Sequence, residues 1–88
     1  MADKETRIAW MALRRGHPVT GADGEHVGKV SEIVADQQKD IFSGIAFRHG
    51  ILDHERFAPA DLIDAITSEA VQLRIPAQEA ESLEHYEG

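Results

Sequence analysis

The chain has no cysteine, so neither a disulfide nor a thiolate metal site can support its fold. It has no apolar run near the ~18 residues that a membrane-spanning helix needs. Its N-terminus carries no apolar h-region, so a secretory signal is not expected and a cytoplasmic protein is. Basic residues are outnumbered nine to sixteen, for a formal charge of −7. That balance disfavours a phosphate-tracking protein, whose affinity rests on clustered Lys and Arg. Direct DNA binding is therefore not expected, and RNA binding is disfavoured. Phosphate-cradling runs of the G-x-x-x-x-G-K-[ST] or G-x-G-x-x-G type are missing. So is a G-x-S-x-G elbow around Ser31, Ser43, Ser68 or Ser82.

What is present is short strands and turns. Eighty-eight residues make one domain. A chain of this size buries little over ~60% of its unfolded surface, so a second protomer is a plausible source of further burial. Gly16 to Thr20 reads as a first strand, placed at a sheet edge because Pro18 has no amide to donate. Asp23-Gly24 is a hairpin signal, since both residues tolerate positive φ. Within Val27-Gly28-Lys29-Val30 the glycine marks a bulge that bends the strand. The strand continues to Ala35, with Val30 and Val34 on one face and Ile33 on the other. Asp36 to Asp40 form a polar turn. Ile41 to His49 alternate, with Ile41, Ile45 and Phe47 on one face and Phe42, Gly44, Ala46 and Arg48 on the other.

After the Gly50 to Asp53 turn, His54 to Ala58 make a short strand stopped by Pro59. Pro59 to Ile63 form a corner, Asp64 to Thr67 another strand, and Val71 to Ile75 a cleanly alternating one. Pro76 then starts a helix whose apolar face would carry Ala77, Ala80, Leu83 and Tyr86, with glutamates opposite. The expected fold is all-β: a small barrel of about six short strands with a short C-terminal helix. The expected organisation is a segment 1–12, a barrel 13–76, and an amphipathic helix with acidic tail over 77–88.

Candidate chemistry is sparse. His17 and His26 flank one turn, and His49 and His54 another. Each pair could face across its hairpin and bind Zn²⁺ or Ni²⁺, or sense pH, but fixed ligand spacing is absent and no metal or cofactor is expected. The carboxylates near Glu55, Asp53 and Asp61 lie on turns rather than in a pocket, so no enzyme is expected. Arg14, Arg15, Lys29, Arg48 and Arg56 would make an RNA-facing patch only with acidic neighbours interrupting it. The apolar residues least needed to close one barrel are Trp10, Met11, Leu13, Ala80 and Leu83. They are candidates for a protein-interaction surface, with a homodimer expected, unless both terminal segments fold back on their own barrel.

The runs Gly16-His17-Pro18-Val19, Asp23-Gly24-Glu25-His26-Val27-Gly28-Lys29-Val30, Ile45-Ala46-Phe47-Arg48, Arg56 to Leu62 and Val71-Gln72-Leu73 together resemble a PRC-barrel domain. The likeness covers roughly Leu13 to Ile75. Asp23, Gly24, Gly28 and Pro59 are its turn and bulge positions. PRC-barrels form the cytoplasmic domain of the photosynthetic reaction-centre H subunit and the C-terminal domain of the ribosome-maturation factor RimM, and also occur alone. A related group of bacterial domains of unknown function shares the D-G-x-x-V-G-x-V run. The resemblance implies a shared fold and an adaptor role in protein–protein contact, without common catalytic residues. By analogy with RimM, the alternative is an RNA- or ribosome-associated module. The other alternative is a small-ligand or metal binder that uses the histidines.

Overall fold

The computed structural model describes residues 9–36, 38–50 and 52–86. Six strands form one sheet: β1 (Pro18–Thr20), β2 (His26–Asp36), β3 (Ile41–Arg48), β4 (Arg56–Pro59), β5 (Ile63–Ile66) and β6 (Val71–Leu73). Their order across the sheet is β4-β3-β2-β1-β6-β5. Neighbours are antiparallel except β1 and β6, which run parallel and bring the first strand beside the last. The sheet curls into a half-barrel. Short 3-10 turns lie at Trp10–Ala12 and Ala60–Leu62, and one helical turn, α1, at Ala77–Ala80. The chain is thus the small, mostly-β barrel that its turn spacing predicts. Among the described residues no helix is long and apolar enough to cross a membrane.

Four expectations are corrected. First, β1 is central rather than at an edge. Pro18 opens the strand, where a missing donor costs little. The hydrogen bonds beside it run from Gly16 N to Val30 O (2.7 Å) and from Val30 N to His17 O (2.9 Å).

Second, only Gly24 uses positive φ (+83°) in the first turn. Asp23 serves it through its side chain, whose Oδ1 accepts from Glu25 N at 3.2 Å. The same oxygen accepts from Ala77 N at 3.4 Å, tying the turn to α1.

Third, the inward faces of β2 and β3 change phase. Val30 pairs with Phe47 and Glu32 with Ala46, so Ser31 is an extra residue on β2; Val34 pairs with Gly44 and Ala35 with Phe42, so Ser43 is an extra residue on β3. A bulge of one residue flips the side chains beyond it. Ile33 therefore packs on the same core as Val30, and Phe42 joins Ile45 and Phe47 there. Ile41 is turned out, 51% exposed.

Fourth, the C-terminal helix stops at Ala80. A single turn is marginal alone, and the free edge of β4 offers the following residues backbone partners.

The core fills the concave side with Val19, Val30, Ile45, Phe47, Val71 and Leu73. Leu13 from the N-terminal segment and Ala80 from α1 complete it. The bend in β2 depends on Gly28. Its φ is +155°, and a Cβ built there would lie 2.4 Å from the carbonyl oxygen of Arg48. The backbones of β2 and the end of β3 therefore meet with no room for a side chain. Gly44 makes the same kind of approach, with a Cβ 2.2 Å from Ala58 O. Gly28→Val is expected to cost on the order of 3 kcal/mol, a large share of a small domain's stability. Gly24→Asn, at a turn position with open space around it, is expected to cost under ~1 kcal/mol. Urea unfolding of both variants checks this; equal losses would contradict the close-approach account.

Candidate interaction surfaces

Residues after α1 form a strap along the outer edge of β4. Phe57 N donates to Glu84 O (2.9 Å) and Tyr86 N to Glu55 O (2.8 Å), flanking a bridge between Arg56 and His85. An unpaired strand edge is a template for unwanted pairing, and the strap occupies this one. Side chains lock it from the convex face. Glu32, Ala46 and Phe57 are paired across β2, β3 and β4 and so share that face. Tyr86 stacks on Phe57 (5.9 Å) and its hydroxyl donates to the Glu32 carboxylate at 3.1 Å, arching over the fully buried Ala46. Ser31, the bulged residue, donates its hydroxyl to Glu55.

Below the strap a pocket of about 260 Å³ is lined by His26, His49, Asp53, Arg56 and Glu81 over the buried Val27 and Phe47. Arg56 and Asp53 form an ion pair within it. Arg56 Nη1 donates to Asp53 Oδ2 at 2.9 Å and Nε to the Glu81 carbonyl at 3.1 Å. Asp53 also accepts the amides of His49 (3.3 Å) and His54 (2.9 Å). The Arg56 hydrogen bond chiefly holds the Asp53 carboxyl below its ordinary 3.8. Its contribution to stability is therefore complete above that value and fades as the pH falls through the lower folded one.

The opposite edge differs. Among the described residues β5 pairs only with β6. Beside it, a groove of about 300 Å³ is lined by Trp10, Phe42, Ala60, Ile63 and Ile66. Trp10 lies flat on Phe42, with ring centroids 5.6 Å apart and planes 12° apart. On the other side of Trp10 a second groove of about 300 Å³ runs past Met11, Arg14, Arg15, Ile33 and Ala35.

The histidines do not pair across their turns as the sequence implies. His26 meets His49 edge-on at 6.3 Å, and His54 stacks on His85 at 4.2 Å. His17 Nε2 donates to Thr67 O at 2.8 Å. Among the described residues, no cluster of three or more His, Asp or Glu gathers as a metal site would.

A family model described as "Uncharacterized protein conserved in bacteria (DUF2171)" matches residues 13–81. The chain belongs to this family. No curated protein matches it. The DUF2171 span runs from the first core residue, Leu13, to Glu81, which follows α1. Trp10 and Met11 lie before that span, and the strap at 84–86 after it.

The five residues that the sequence offers as an interaction surface separate in the DUF2171 fold. Leu13 and Ala80 are core residues, 3% and 0% exposed, and Leu83 packs against the core. They are buried because residues 9–13 and 77–86 fold back on their own sheet. Met11 (50% exposed) and the free face of Trp10 remain at the surface. Asp23 and Gly24 lie in the turn before β2, Gly28 pairs with Val19 beside the extra residue of the β1–β2 pairing, Val27, and Pro59 ends β4 rather than lying beyond it. The Asp53–Arg56 latch, the Phe42 seat under Trp10 and the Tyr86–Glu32 bond carry no local sequence signal. Two of these join distant parts of the chain, and only the sheet register brings them together.

Tyr86 is the chain's one tyrosine, so its titration can be read directly. Removal from water raises its pKa above the ordinary 10.0, and the bond to Glu32 raises it further. The folded state thus keeps the phenol protonated where the unfolded chain loses the proton. The strap is fully held below pH 10.0 and loosens as the pH rises through the folded value. Tyrosinate absorbance should titrate above that of free tyrosine, and Glu32→Gln should lower it. An unshifted titration in the parent protein would contradict the strap geometry.

Proposed function

We propose that this chain is a non-enzymatic, PRC-barrel-like protein-interaction module of the cytoplasm, and that it associates with itself. The observation that supports this is the unequal treatment of the two sheet edges. The strap covers the edge of β4, whereas among the described residues β5 has one strand neighbour and lies beside a mostly apolar groove that Asp64 also lines. An edge strand next to an apolar groove is the arrangement that takes an added strand, with the backbone supplying hydrogen bonds and the groove supplying side-chain burial. A second copy presenting the same edge makes a closed twofold pair. The limited burial available to an 88-residue chain favours that outcome.

Other features agree with a role without chemistry. Apolar side chains fill the concave side, and the polar groups beside the strap pair with one another. The ribosome-associated reading has weaker support, because Arg56, one of its five basic residues, is neutralised by Asp53. The small-ligand reading loses His17, which is bonded to the Thr67 carbonyl.

Light scattering at low micromolar concentration is expected to give the mass of a dimer. Ala60→Arg, which puts a charge into the groove beside β5, should give a monomer with an unchanged circular dichroism spectrum. A parent protein that stays monomeric as concentration rises would sink the self-association reading.

A further inference from the structure

The groove on the far side of Trp10 has a chemistry unlike the rest of this acidic chain. Its floor is Ile33 and Ala35, one wall is Trp10 and Met11, and its rim is Arg14 and Arg15. Both arginines are exposed. Arg14 is held in place by its Nη1, which donates to the carbonyls of Leu13 (3.1 Å) and Met11 (3.3 Å). Among the described residues, neither arginine has a carboxylate within ion-pair distance; the pairs found are Arg56–Asp53 and Arg74–Asp64. The acids that flank Ile33 and Ala35 on β2 are engaged elsewhere. Glu32 accepts from Tyr86, and Asp36 Oδ1 accepts the amides of Gln38 and Lys39.

A positive rim beside an apolar floor, on a chain of charge −7, is complementary to a ligand that is both acidic and apolar. Stacking on Phe42 fixes the Trp10 ring in advance, which lowers the entropy lost when its free face is covered. Trp and Arg are the side chains that most often dominate interface energetics. Arginine also binds carboxylates through two parallel N–H groups.

We propose that this groove binds an acidic segment of a partner protein that carries an apolar anchor residue. The anchor sits against Trp10, Ile33 and Ala35, and flanking carboxylates meet Arg14 and Arg15. This deepens the reading of the chain as an interaction module; it shares Trp10 with the groove beside β5 but turns on Arg14, Arg15, Ile33 and Ala35, which do not line that groove. It therefore stands or falls separately from self-association.

Trp10 is the chain's one tryptophan; it lines both grooves, and the arginine variants below assign a change in its emission to this one. The probe is a synthetic peptide of alternating leucine and glutamate, titrated into the full chain. A saturable blue shift that weakens with added salt is expected. Arg14→Ala with Arg15→Ala should weaken binding by about tenfold or more, with an unchanged urea midpoint because both side chains are exposed. Equal binding of a leucine–lysine peptide would overturn the proposal, as would no shift at millimolar peptide. Tighter saturation by oligouridylate would overturn it in favour of nucleic acid. A shift on concentrating the protein without peptide that persists in Ala60→Arg, whose β5 groove is blocked, would assign this groove to a second copy and overturn it too. A parent that scatters as a monomer yet binds the peptide would refute self-association and leave this site standing.

Discussion

Where β2 crosses the end of β3, the backbone of Gly28 lies against the carbonyl of Arg48, closer than any side chain allows. This contact sets the curvature of the sheet. β2 is the longest strand, eleven residues, and it pairs with β1 on one side and β3 on the other. If it ran straight, its two halves could not serve both neighbours and still turn Val27, Val30 and Ile33 toward one core. The bend at Gly28 and the extra residue at Ser31 resolve this. They also release Ser31 to meet Glu55, so one irregularity shapes the core and begins to fasten the opposite edge.

The two edges of the sheet follow from that curvature. β4 comes round to where the C-terminal segment ends, and the segment completes it as a short extra strand. Tyr86, Arg56 and Asp53 fasten the segment from both faces. β5 ends on the other side of the open seam, where the Trp10–Phe42 stack borders it. Among the described residues the sheet therefore has one covered edge and one uncovered one.

Much of the fold was legible in residues whose meaning is local. Asp23-Gly24, Gly28, Pro59 and Pro76 mark turns, a bulge and stops because backbone conformation at those positions is decided by the residue itself. The strands of β6 and the end of β3 were legible because their alternation is unbroken. The faces of β2 and β3 were misread at Ile33, Ile41 and Phe42. Ser31 and Ser43 give no sign that they are unpaired, and a single extra residue inverts the pattern beyond it. The helix was overextended for a similar reason. The spacing of Ala77, Ala80, Leu83 and Tyr86 fits a helical face, but Leu83 and Tyr86 also fit a strap whose register is set by β4. The parallel pairing of β1 with β6, and the Tyr86–Glu32 bond across 54 positions, depend on topology that no local signal carries.

The β1–β2–β3 unit is the framework, and the strap is an addition fastened to it. Hydrogen exchange of single amides separates the two most directly. The amide of Val30, bonded to His17 O inside the framework, should exchange only through global unfolding, with a free energy equal to that from urea denaturation. The amides of Phe57 and Tyr86, which join the strap to β4, should exchange through a cheaper local opening. If Val30 exchanged as readily as Tyr86, the bent strand would not be what the rest of the structure depends on.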